Sequence, residues 1–306
     1  MDSITHALLV VSLLMAIGMP ALIPFGILGA VILDLDLLFH LVSSKRPRLY
    51  ILIHGGAAHS IAGAVCVAVM AFGVLCILVP AGEQFLHFTS PFPLNAFALT
   101  AVIAGALLHV ALDFLASPGI PLFWPWNDSK YTFGIFAGPS AVMIFISWTF
   151  IILFVGGIVL ISGLAFYGIL FLAYLAISVA IRIAAAITIT GRTLPTVNPL
   201  RWLAIEKTQN IWSLKFVNLL TGLESVTRTW PASRGVPEAD IDRISDIPAV
   251  RRVRYNSFFT IVSRNDNGDL VIQDPARVEG IIKYPPYYTR VVLTKEYGSE
   301  WKPVTE

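Results

Sequence analysis

The sequence predicts a mostly α-helical, polytopic membrane domain of about six apolar segments, joined to a C-terminal β-rich soluble domain. Three observations predict it. The 306 residues are 56% hydrophobic and 13% charged, with a mean hydropathy of +0.76, whereas soluble domains carry about a quarter of their residues as charges. The charge is unevenly spread: residues 1–190 hold five Lys/Arg and six Asp/Glu, and residues 191–306 hold the other sixteen and thirteen. Beyond Asn198 the apolar pattern shortens to strand-length runs. Residues 1–190 are therefore read as a transmembrane metal-site domain and 191–306 as a cytoplasmic β-rich domain. The tail mixes both signs of charge without a basic stripe, which argues against nucleic acid as a partner.

In order, residues 2–18 read as a short helix capped by Asp2 or Ser3 and ended at Met19-Pro20. No Lys or Arg precedes its apolar run, so it lacks the basic start of a cleaved signal peptide and is expected to be retained. Residues 21–41, 61–79 and 96–116 are each long enough to span a bilayer. Residues 117–139 form an irregular loop in which Trp124 and Trp126 suit the interface. Residues 140–160 and 162–181 make a hairpin without an acidic residue. Cys66 and Cys76 share one apolar segment and read as small buried hydrophobes. In the tail, 202–206 and 211–220 read as paired strands, 257–262 pairs with 270–273 across Asn265-Asp266-Asn267-Gly268, 291–294 is a further strand, and 237–250 is a short helix.

Ionisable groups inside apolar segments are costly and usually face a wet or paired interior. Here they cluster. Asp34 and Asp36 end one span, His54 and His59 precede the next, and His109 and Asp113, four apart on one helix face, end the third. Imidazole and carboxylate are the usual ligands of zinc and related divalent ions. His6, Asp34, Asp36, His54, His59, His109 and Asp113 are therefore the candidate ligands, for one or two divalent ions with zinc expected. On a regular helix Asp34 and Asp36 point about 200° apart. Asp36 is read as the ligand, and Asp34 as the catalytic residue or the ligand of a second ion. His40 stands equally as ligand or interfacial residue, and His87 as a loop residue. The basic turn Lys45-Arg46-Pro47-Arg48 is expected in the cytoplasm and the loop with His87 outside, which places all the candidate ligands and the C-terminal domain on the cytoplasmic side of a cell-membrane protein.

The order Asp2-x-x-Thr5-His6, Asp34-x-Asp36, His54-x-Gly56-x-x-His59-Ser60 and His109-x-x-x-Asp113 resembles the YdjM-type membrane-bound metal-dependent hydrolases, and 198–202 resembles the start of that family's C-terminal domain. The chain departs from the pattern at Leu33 (usually Pro), Gly55 (usually Arg) and Ala58 (usually Thr). The resemblance implies a metal-dependent hydrolase. Together with a site at the headgroup face, it leads to the expectation of an enzyme acting on a membrane lipid or lipid-linked phosphoester. The rivals are a metal or proton transporter and a non-catalytic membrane anchor with a structural metal.

Overall fold

The computed structural model describes residues 1–86, 93–283, 287–295 and 301–304. His87 lies outside the described residues, and so does the side chain of His40. Contacts divide the chain into two compact units. Met1–His40, Leu52–Thr188 and Leu194–Trp202 form the first, and Leu41–Ile51, Ile189–Thr193 and Leu203–Glu306 form the second.

In the first unit, α1 (Ser3–Ala16) starts at Asp2, whose carboxylate accepts from Thr5 N at 3.0 Å. A 3₁₀ turn at Pro20–Leu22 leads into α2 (Ile23–Ile32), which tightens into a 3₁₀ helix over Leu33–Phe39 before α3 (His40–Lys45). α4 (Ile61–Leu86) and α5 (Ala96–Leu115) follow, then the two-residue strands β1 (Ala116–Ser117) and β2 (Phe136–Ala137), then α6 (Ala141–Val155) and α7 (Ala165–Thr188). Four helical stretches among the described residues are long and apolar enough to cross a membrane: Pro20–Phe39, Ile61–Pro80, Ala96–Leu115 and Ile161–Thr188. Helices α1 and α6 are shorter. At 1.5 Å per residue α1 covers about 21 Å of a ~30 Å hydrocarbon core.

α1 is the core helix of this unit. Leu8, Leu9, Val10, Val11 and Leu14 are buried against Tyr167 and Phe171 of α7 and Met143 of α6. Its buried hydroxyls are satisfied across the bundle, as a low-dielectric interior requires. Thr5 Oγ1 lies 2.8 Å from Ser147 Oγ, which lies 2.7 Å from Tyr167 Oη, and Ser12 Oγ donates to Ala165 O at 2.9 Å. The hairpin expected at 140–160 and 162–181 breaks earlier and restarts later, because Gly156-Gly157 ends α6 with Gly157 at φ +70°, the left-handed helix end that glycine supplies at no steric cost.

The expected strands follow, mostly in the second unit. β3 (Arg192–Pro195), β4 (Arg201–Thr208), β5 (Ile211–Asn218) and β6 (Arg228–Pro231) form one sheet in that order. After β7 (Ser233–Arg234), the single helix expected at 237–250 is two, α8 (Glu238–Ile244) and α9 (Pro248–Asn256), because Pro248 suits a first helical turn but not a helix interior. β8 (Ile261–Arg264) pairs antiparallel with β9 (Leu270–Gln273), with Ile261 opposite Gln273. It starts later than expected because Ser257 closes α9. α10 (Pro275–Val278) is capped by Asp274, which also accepts from Arg277 Nε at 3.0 Å; both residues are buried, and burial pushes the Asp274 carboxyl up against the pull of Arg277. β10 (Arg290–Lys295) and β11 (Trp301–Pro303) complete the second sheet, ordered β11-β10-β9-β8-β7.

Packing between α2 and α5 positions everything at their C-terminal ends, and it depends on small residues. A Cβ on Gly29 would lie 1.9 Å from Val102 O, and one on Gly105 would lie 2.2 Å from Gly26 O. Gly105→Val is therefore expected to destabilise the bundle by about 1–3 kcal/mol or more, read as a lower unfolding temperature in detergent. Gly73→Val, where a Cβ meets nothing within 4 Å, should leave that temperature unchanged.

Candidate metal centre

Four local structures position six of the seven candidate residues. The tight winding over Leu33–Phe39 turns about 120° per residue, so Asp34 and Asp36 leave the axis on different sides and meet different partners. His54 precedes Gly55, which sits at φ +73° and donates its N–H to Asp36 Oδ2 at 3.1 Å. His59 ends a 3₁₀ turn, and Ser60 then starts α4: its hydroxyl donates to Ala57 O at 2.8 Å and accepts from Gly63 N at 2.9 Å. The His-Ser pair thus holds an imidazole one residue outside a capped helix. His109 and Asp113 lie one turn apart on α5.

Four donor atoms converge. His59 Nε2 and His109 Nε2 are 3.1 Å apart. Asp34 Oδ1 is 3.6 Å from each of them, and Asp113 Oδ2 is 3.5 Å from His59 Nε2 and 3.2 Å from His109 Nε2. His59 and His109 are fully buried. His109 Nδ1 is 2.6 Å from Ala30 O, and a carbonyl can only accept, so Nδ1 is the donor and Nε2 is the nitrogen turned inward. His59 Nδ1 lies 3.0 Å from Asp36 Oδ2, which favours the same tautomer. Two imidazole nitrogens and two carboxylate oxygens thus lie within 3.6 Å of one another in the five pairs given. Such a set is electrostatically unfavourable alone and fits a divalent cation.

Around these four sit the remaining candidates. Asp36 is buried and contacts His54 Nδ1 at 2.8 Å through its other oxygen. Asp36, His54 and His59 offer a further set of atoms close enough to hold an ion, as do His6, His109 and Asp113. The His6 ring is fully buried, stacks on His109 with centroids 3.7 Å apart, and lies 3.4 Å from Asp113 Oδ1 through Nε2; neither ring nitrogen is hydrogen-bonded. The Met1 amine also contacts Asp113 Oδ1, and Ser3 Oγ donates to Asp34 Oδ2. The structure therefore gathers all seven residues in one cluster. Ser3, the Ala30 carbonyl and the Gly55 N–H are parts that sequence reading missed. Only Ser3 carried a signal, its place beside Asp2.

A model of the YdjM inner membrane proteins matches residues 1–187, a stretch that holds all seven residues. The chain belongs to the YdjM inner membrane protein family. No curated protein and no solved structure matches it. Membership agrees with the apolar helices in making this YdjM-family chain a membrane protein, and its buried His/Asp clusters could hold a metal ion.

Ser60→Ala removes the cap of α4 and is expected to lower stability by about 1 kcal/mol, seen as a reduced unfolding temperature in detergent. Ser60→Thr, which keeps a capping oxygen, should restore most of it.

Proposed function

We propose that this protein is a membrane-embedded, metal-dependent hydrolase holding one zinc ion between Asp34, His59, His109 and Asp113. The observation that carries the reading is the spacing of the four donor atoms, 3.1–3.6 Å across the five measured pairs. A tetrahedral ion with ligands at 2.0–2.1 Å sets its donors about 3.3 Å apart, whereas octahedral magnesium would set neighbours about 2.9 Å apart. When bound, such an ion supplies Lewis acidity: it lowers the pKa of water towards neutrality and stabilises developing oxyanion charge.

The chain's own residues divide the remaining work. Asp36 Oδ2 lies 3.0 Å from the outer nitrogen of His59 and is assigned the orienting role that carboxylates behind metal-bound imidazoles take. This assignment puts Asp34 among the ligands and Asp36 behind His59, the reverse of the roles expected from the sequence. His54 is 31% exposed at its side chain and bonded to Asp36, so it is placed to exchange protons with a substrate at the rim.

The substrate proposed is a lipid or lipid-linked phosphoester at the cytoplasmic face. Lys45, Arg46 and Arg48 are exposed between Asp36 and His54; they favour a cytoplasmic side and attract an anionic headgroup. The convergence of four protein donors also favours a second reading, a structural metal in a membrane anchor, because closed tetrahedral shells are typical of structural zinc. Those shells are built from Cys with or without His, whereas carboxylates accompany His in catalytic sites, where the ion can accept a fifth ligand. Transport is less favoured, since the donors gather at the ends of the helices rather than midway along them.

Metal analysis of the purified chain should find one zinc per chain in the wild type and none in His109→Ala or Asp34→Asn. Asp36→Asn should keep zinc with roughly 10–100-fold weaker affinity. The wild type should hydrolyse a phosphodiester probe or dispersed phospholipid, and His109→Ala should not. Tightly held zinc without turnover of either probe would support the anchor instead.

A further inference from the structure

The segment between the aspartates and the histidines belongs to the second unit. Leu41–Ile51 groups with Leu203–Glu306, while Met1–His40 and the chain from Leu52 onward group with the helices. Asp36 lies five residues before this segment and His54 three residues after it. It is the covalent link between the two sides of the centre, and one short helix of the second unit grips it near both ends. Near its start, Arg252 Nη1 on α9 donates to Ser43 O at 3.3 Å, and Ser43 is fully buried. The same guanidinium lies 4.2 Å over the ring of Tyr288, whose hydroxyl is 3.4 Å from Ser43 Oγ. Near its end, Tyr50 meets Tyr255 of α9 edge-on, with centroids 5.3 Å apart, and Arg251 of α9 lies 5.7 Å over the Tyr50 ring.

These contacts are side-chain-specific rather than a generic apolar seam. A guanidinium that bonds a carbonyl while stacking on an aromatic face has a fixed orientation, and the edge-to-face tyrosine pair restricts the other end. A segment fixed at two points by one rigid helix sets the distance between its own ends. Here those ends lead within five residues to Asp36 and within three to His54. We infer that Arg252 is a positioning residue for the metal centre, and that the C-terminal domain serves to hold Leu41–Ile51 in the conformation that brings the aspartates and histidines into register. The inference rests on the metal reading above.

Coupling of this kind is reciprocal: if α9 favours the metal-binding arrangement, bound metal must favour the gripped state of α9. The test uses the full chain in detergent. Zinc affinity, measured by competition with a chelator, is expected to fall roughly tenfold in Arg252→Ala, within the usual range of coupling between sites, and to recover in part in Arg252→Lys. It should not change in Arg228→Ala, whose partner is Glu279. In the wild type, adding zinc should slow amide hydrogen exchange in Pro248–Asn256. Equal affinity in Arg252→Ala, with no zinc effect on exchange in α9, would overturn the inference while leaving the metal site standing. If the wild type binds no zinc, the metal reading itself fails and this inference falls with it. Should Arg252→Ala not fold, the exchange measurement on the wild type decides alone: protection of α9 by zinc supports the inference, and its absence overturns it.

Discussion

The centre depends on backbone contact between two helices. Where α2 crosses α5, Gly29 and Gly105 leave no room for a side chain, and the helices approach closely enough for the Ala30 carbonyl to reach His109 Nδ1. One contact does two things. It satisfies a polar group that a low-dielectric interior would otherwise penalise, and it fixes which nitrogen of His109 faces Asp34. Larger residues at the crossing would separate the helices by an ångström or more, and at that separation a constellation of donors loses its purpose.

The same economy of polar groups runs through α1. In a bundle of Leu, Val and Phe, its hydroxyls find partners on α6 and α7 through Thr5, Ser147, Tyr167 and Ser12. That pins the helix carrying His6 against α6 and α7. His6 is the exception, a fully buried imidazole whose nitrogens have no hydrogen bond. Burial of an unsatisfied polar group is costly, so its presence beside Asp113 argues for a chemical use rather than a packing one.

Much of the fold was legible because membrane spans and strands differ in the length of their apolar runs. The aspartates and the histidines could be read because each interrupts an apolar background. The facing of Asp34 and Asp36 could not: a regular helix was the natural assumption for 21–41, and the tightening at Leu33 changes the turn per residue and so which carboxylate meets which imidazole. The break at Gly156-Gly157 was visible only as two small residues within an apolar run. Least legible was the membership of Leu41–Ile51 in the second unit, because Ser43 and Tyr50 look like ordinary turn residues until α9 is placed beside them.

X-ray absorption spectroscopy of the zinc-loaded wild-type chain tests the central claim most directly, since it counts the imidazoles bound to the ion. Convergence of Asp34, His59, His109 and Asp113 predicts two imidazole nitrogens and carboxylate oxygens, with bond lengths of about 2.0–2.1 Å. Three or more imidazoles, which would bring His54 or His6 onto the ion, or a shell of oxygens alone, would contradict it.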